Sequence, residues 1–357
     1  MGSVETEGRP GMALGIYAWE VDSDVRRREF GKLATAVTVT AVGGWPFGEH
    51  IGQSDAQRLL SAVDGLVERD QLIGGGTLIR SALEQLAHAK HILDTASYDT
   101  AAGKAFASAT GKLAVQVGWL AHDSDLHQVA RRCYADGLAL ATEAGDEELV
   151  AHTCLNAANH SIALAREGKS SLHHAVNLID RARVLMRGRP PGRIHALIAV
   201  REAQVQGLLG DRMGFGRAVA TAWREVEQAI HFETLEECPR WLRFVGPAEI
   251  RGHEARGYGD IGEISKSIEL FEAAAAEETG ARNAAHMRAW TAAAHARIGD
   301  IPTAVAMGVP VLAELENIAS SRTLRVMEPI RTTDHPVAEE FRDRFVAQEK
   351  AILKETV

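Results

Sequence analysis

Residues 207–214 read GLLGDRMG, and this short stretch decides how the rest of the chain is read. An apolar helix runs into glycine, the residue that most readily takes the left-handed conformation ending a helix. Aspartate follows at once, a side chain suited to cap the N-terminus of a new helix. Comparable endings occur four more times, as GWLAHDSD (118–125), ALAREGKSS (163–171), RGYGDIGE (256–263) and ARIGDIPT (296–303). Taken at Asp123, Gly168, Gly210, Gly259 and Gly299, the turns are separated by 45, 42, 49 and 40 residues. Each is preceded by an alanine-rich helix and followed by an amphipathic one. A helix–turn–helix unit that cannot bury its own apolar face stacks on its neighbours. The expected fold is therefore all-α: a right-handed α-solenoid of antiparallel helix pairs, like tetratricopeptide repeats but with a longer period.

Composition agrees. The chain has 357 residues, 46% of them hydrophobic and only 5% aromatic, and a formal charge of −9. An acidic chain holds DNA poorly, because neutralising phosphates supplies most non-specific affinity. No apolar run reaches the ~20 residues that span a bilayer, so no membrane partner is expected. The three cysteines, Cys133, Cys154 and Cys238, stand singly, without ligand or disulfide spacing. They fit a reducing, cytoplasmic setting.

The organisation reads as a flexible N-terminal arm over 1–23, a linker helix over 24–44 and a helical-repeat domain over 45–357. Arg27-Arg28-Glu29-Phe30 looks like a twin-arginine export signal. The apolar stretch after it is short and broken by Thr35, Thr38 and Thr40, and no small-residue cleavage site follows. A helix capped by Asp24 accounts for it better. IGGGTLI, residues 73–79, lacks the Lys-Ser/Thr of a phosphate-binding loop and is read as a flexible loop before a helix. HEARG at His253 begins like a zinc-protease helix, but Gly257 stands where the second histidine is required. His173 and His174 are adjacent and diverge by about 100° on a helix. No metal, cofactor or catalytic residue is therefore assigned, and a histidine cluster assembled by the tertiary fold is not visible at this level.

LIGGGTLIRSALEQL (72–86) and KLAVQVGWLAHDSDLHQVARRCYADGLALATEAGDEELVAHTCLNAANHS (112–161) resemble the helical-repeat sensor portion of bacterial XRE-type helix-turn-helix transcriptional regulators. HMRAWTAAAHARIGDIPTAVAMGVPVLAEL (286–315) and ASSRTLRVMEPIRTTDHPVAEEFRDRF (319–345) are similar to the same family's later repeats. The resemblance spans Trp19 to Phe345. It implies that WEVDSDVRRREFGKLA (19–34) is the linker between DNA-binding domain and repeats. Only 18 residues precede Trp19, so the resemblance implies the sensor portion lacking the DNA-binding domain, with no direct DNA binding.

In a solenoid of helix pairs the first helix of each pair lines the concave surface. Counting back from the turns places Asn156, Asn159 and His160 there, then Arg201 and Gln204, then Glu249, His253 and Arg256, then His286, Arg288 and Trp290. Amides can hold a peptide backbone and arginine can clamp a carboxylate or phosphate. Trp119, Trp241 and Trp290 offer apolar walls. The expectation is a non-catalytic sensor of a peptide or small molecule that acts through another regulatory protein, with a homodimer formed through Leu33 to Val42. The alternatives are a protein–protein scaffold and an enzyme that has recruited the repeat fold.

Overall fold

The computed structural model describes residues 49–277 and 280–356. The arm, the linker helix and the proposed dimer edge lie outside the described residues. Fifteen α-helices are described: α1 (Gln53–Ile73), α2 (Gly75–Thr95), α3 (Thr100–Asp123), α4 (His127–Ala144), α5 (Glu147–Arg166), α6 (Leu172–Leu185), α7 (Arg193–Leu209), α8 (Arg212–Phe232), α9 (Pro247–Asp260), α10 (Ile264–Glu277), α11 (Ala281–Arg297), α12 (Ile301–Glu314), α13 (Ser321–Val326), α14 (Glu328–Arg331) and α15 (Glu339–Thr356). There is no strand among the described residues. Helices α3/α4, α5/α6, α7/α8, α9/α10 and α11/α12 pack as consecutive pairs, giving a TPR-like helical-repeat solenoid. No described helix is long and apolar enough to cross a membrane.

The turns work as the dipeptide suggests. Gly210 and Gly299 are left-handed, with φ of 73° and 83°. In each case the next N–H bonds back five residues, Asp211 to the Gln206 carbonyl and Asp300 to the His295 carbonyl, both at 3.0 Å. Those aspartates then cap the following helices by accepting from the N–H groups of Gly214 and Thr303. Two expectations fail. Gly259 lies inside α9, and the left-handed stop is Gly262, φ 88°. A second glycine, three residues on, carried the break past the Gly-Asp pair. The glycines at 74–76 are also no flexible loop. Gly74 is the single break between α1 and α2, and a Cβ there would lie 2.7 Å from the Ala319 carbonyl oxygen. Gly75 and Gly76 belong to α2 and are buried.

That joint is one part of a closure. Helix α11 packs on α1, α13 on α3 and α15 on α2, so the last helices return to the first. Ala319 donates its N–H to the Ile73 carbonyl at 2.9 Å and accepts from the Gly76 N–H at 2.8 Å. Phe341, Phe345, Met327 and Ile330 anchor the apolar core beneath the returning helices. Inner helices approach closely elsewhere too. A Cβ on Gly207 of α7 would lie 3.2 Å from the Gly257 Cα of α9. The residue that breaks the zinc-protease pattern is thus a packing glycine.

Candidate functional site

Closure turns the concave faces of the inner helices into the walls of a cavity of about 890 Å³. This is near the top of the ~300–1,000 Å³ range of small-molecule sites. Each inner helix contributes residues at helical spacing: Gln116 and Trp119 from α3, His152, Asn156 and Asn159 from α5, Glu249, His253 and Arg256 from α9, Arg282 and His286 from α11. Arg201 of α7, the segment containing Trp241 and Phe244, and Arg322 of α13 complete the wall.

Of the eleven expected site residues, seven line this cavity: Asn156, Asn159, Arg201, Glu249, His253, Arg256 and His286. Gln204 sits behind the wall, accepting from Arg201 Nη1 at 3.0 Å. Trp290 is a second layer: the Arg256 guanidinium stacks 5.5 Å from its ring centroid. Arg288 turns to the outer helix α12 and pairs with Glu314 at 2.5 Å. His160 turns to the α3–α4 turn, 3.3 Å from His127 Nδ1.

The charges are ordered. Glu249 Oε1 and His253 Nε2 are 2.8 Å apart, and Arg201 Nη1 is 3.3 Å from the same nitrogen. One ring nitrogen cannot donate to the carboxylate and also accept from the guanidinium. The shorter, charge-assisted contact takes the proton, which leaves His253 Nδ1 as a buried acceptor without a partner. Burial pushes His253 down to about 3, with Arg256 adding to the effect. Burial alone would raise Glu249. The His253 contact and the nearby Arg256 and Arg201 outweigh it and hold the carboxyl at about 2. On the α11 side, His286 Nε2 accepts from Trp290 Nε1 at 3.1 Å and from Arg322 Nη1 at 2.7 Å. Its proton is therefore on Nδ1, facing Thr323 Oγ1 at 3.1 Å. Burial, then Arg322, keeps this ring neutral.

The closure itself is polar. Arg282 pairs with Asp70 at 3.1 Å, both side chains being buried, and Trp119 Nε1 donates to Asp70 at 2.9 Å. Two guanidiniums lie over the Trp119 ring, Arg282 at 5.3 Å and Arg322 at 5.1 Å from its centroid. Arg322 donates from Nε to Asp123 Oδ1 at 2.9 Å, and the Ser320 hydroxyl donates to the same oxygen. Burial raises the Asp70 carboxyl, and the charge on Asp123 adds to this. For Asp123, burial is outweighed by Arg322 and Arg282, and its carboxyl is held low.

Seven arginines line the cavity, Arg201, Arg240, Arg243, Arg251, Arg256, Arg282 and Arg322, against the carboxylates Glu68, Asp70, Glu249 and Glu277. Asp70 is taken by Arg282, Glu68 by Arg240 and Glu277 by Arg251. Arg243 donates to backbone carbonyls. Arg256 differs: among the described residues no hydrogen-bond or ion-pair partner reaches it, and its Nε is buried and unpaired. Burial lowers it only to about 9, so it is charged at neutral pH.

No protein-family model matches the sequence, and no curated protein matches it. Among solved structures, the chain is similar to a Rap protein crystallised in complex with competence and sporulation factor. The identity is 12% and the TM-score 0.47, over 85% of this chain and 91% of that one.

Proposed function

We propose that this chain is a non-catalytic, ligand-sensing helical-repeat protein whose cavity takes a ligand with an anionic group, a short peptide or peptide-like small molecule. The single observation that carries the reading is Arg256, a charged guanidinium at the cavity wall that stacks on Trp290 but, among the described residues, has no hydrogen-bond or ion-pair partner. A buried unpaired charge is costly, and a carboxylate or phosphate on the ligand supplies the missing partner. The peptide reading is supported by the amides of Gln71, Gln116, Asn156, Asn159 and Asn283 around the same space, since each can both donate to and accept from a backbone. Trp119, Trp241 and Phe244 give apolar walls. The non-catalytic reading is supported by Glu249 and His253, the best-placed acid–base pair. Their surroundings keep Glu249 charged and His253 neutral at pH 7, away from the near-neutral poise that best suits a general acid or base.

The closure is the element a ligand acts on. Arg282 and Arg322 belong both to the cavity wall and to the contacts that join the last helices to the first. A ligand that engages them shifts the balance between closed and opened arrays, and so the surface offered to a second regulatory protein, in the cytoplasm and in transcriptional control, as the family resemblance implies. Native mass spectrometry of protein purified from its own host tests this. The expected result is one co-purifying anionic ligand per chain, lost in Arg256→Gln. A neutral or cationic organic ligand, or an organic anion retained by the variant, refutes the assignment.

A further inference from the structure

Outside the cavity, the turn between α3 and α4 brings three imidazoles together. His122 lies in the last turn of α3, His127 begins α4, and His160 comes from the neighbouring α5. One ring nitrogen from each lies within 4.8 Å of one from each of the others. His160 Nε2 and His127 Nδ1 are 3.3 Å apart. That is the separation of two nitrogens bound about 2.0–2.1 Å from one tetrahedral ion. We infer that His122, His127 and His160 form a binding site for one divalent transition-metal ion of the zinc class.

Hydrogen bonding within the cluster does not account for it. Two neutral imidazoles satisfy each other when His127 Nδ1–H donates to His160 Nε2, but the third has nothing to gain. His122 is 3% exposed, its ring centroid is 5.0 Å from that of His160, and its Nδ1 is sealed from solvent without a partner. The Tyr134 hydroxyl, on a ring 6.1 Å from His160, is likewise buried and unpartnered. Two buried polar groups without a hydrogen-bond partner thus stand beside the converging imidazoles, where a bound group can satisfy them.

The donor set selects the ion. Three imidazoles with no thiolate or carboxylate suit Zn²⁺, Co²⁺, Ni²⁺ or Cu²⁺ and give little hold to Mg²⁺ or Ca²⁺. Metal binding requires neutral rings, and burial lowers all three so that they are neutral at pH 7. Three protein nitrogens leave one tetrahedral position for water.

Occupancy also reaches the closure. His127 Nε2 now lies 3.4 Å from Arg325 Nη1 of α13, which also holds Glu167 at 2.8 Å. With Nδ1 on the metal, the proton sits on Nε2, which can then no longer accept from the Arg325 guanidinium and is ready to donate to a carboxylate. Glu167 is the one whose charge already acts on this ring. The ion thus exchanges a seam contact for a second-layer carboxylate.

The test uses the full chain, stripped with a chelator and titrated with Zn²⁺ against a chromophoric competitor, and with Co²⁺ in the visible. One ion per chain and the intense d–d bands of four-coordinate Co²⁺ are expected. His160→Ala and His127→Ala should each weaken binding by at least about tenfold and abolish those bands. His91→Ala, an exposed histidine elsewhere, should change neither. His127 is only half-buried, so its variant remains informative if loss of the buried His160 unfolds the chain. Absence of the bands in the parent protein, or binding undiminished in both variants, overturns the site.

Discussion

Replacing Asp70 by alanine should open the closure between first and last helices. Asp70 is 1% exposed and holds two groups at once, the Arg282 guanidinium at 3.1 Å and the Trp119 indole N–H at 2.9 Å. Arg282 is itself 2% exposed. Removing one member of a buried pair strands the other charge and costs about 3–5 kcal/mol. The orphaned indole N–H falls within the ~1–3 kcal/mol of a buried donor losing its acceptor. The two costs overlap, so about 4 kcal/mol is expected for Asp70→Ala. Asp70→Asn keeps an acceptor for Trp119 and isolates the loss of charge. Asp70→Leu with Arg282→Met removes both charges, so the loss should shrink to the ~1–3 kcal/mol of the Trp119 N–H left without its acceptor. In a repeat array, stability is a sum of local and neighbour terms. The loss should therefore appear as faster amide exchange in α1, α11 and α13, with α5 to α8 little changed, alongside a lower urea midpoint. A change under about 0.5 kcal/mol in Asp70→Ala, or simple additivity of the two single substitutions, would refute the argument that this pair holds the seam.

Two further outcomes follow from packing and protonation. Gly257→Ala places a Cβ 2.0 Å from Phe215 Cε2, and should destabilise by about 1–3 kcal/mol in urea melts. Gly216→Ala, in α8 with nothing within 4 Å of its Cβ, should stabilise by about 0.4–1 kcal/mol. Equal effects from the two would contradict the close packing of Phe215 of α8 on α9. Acid should weaken the fold well before the carboxylates titrate. Burial holds His152, His160 and His253 at about 3, against an ordinary 6.5. Below pH 6.5 the unfolded chain therefore takes up protons that the folded chain refuses. The stability these rings contribute is complete above 6.5 and is lost as pH falls. Between pH 7.5 and 5.5 the loss is about 1.4 kcal/mol per ring at most, read as a falling Tm. A Tm flat across that interval would show that these rings are not buried neutral.

What was legible in the sequence is what is local. A left-handed glycine followed by a capping side chain is complete within a few residues, aspartate at α7/α8 and α11/α12 and Ser171 at α5/α6, so these pairs could be drawn from the chain alone. The same dipeptide misled at Gly259-Asp260, because the signal cannot say which of two nearby glycines takes positive φ. There the helix continues: Gly259 packs on Ser267, its carbonyl accepts from Arg297 Nη2 at 2.9 Å, and Asp260 pairs with Arg166 at 2.5 Å. Residues spaced by three, four or seven, such as Glu249, His253 and Arg256, share one wall of the cavity. Arg288, two residues beyond His286 and so about 200° around the helix, faces the outer helix instead. Arg282 stands one turn before His286 and shared its face, so the spacing rule already pointed to it. Arg322 and Asp70 carried no such sign. Asp70 meets Arg282 across 212 residues of chain, and Asp123 meets Arg322 across 199. Helical periodicity says which side of each helix is polar, never that the first helix and the eleventh are neighbours. That long-range fact is the one that matters for function. Five polar stripes facing water would each be solvated and unremarkable. Joined by Asp70–Arg282 and Asp123–Arg322 they enclose Arg256 where, among the described residues, no hydrogen-bond or ion-pair partner reaches it, so cavity and seam form one element, and a substitution that opens the seam also dissolves the site.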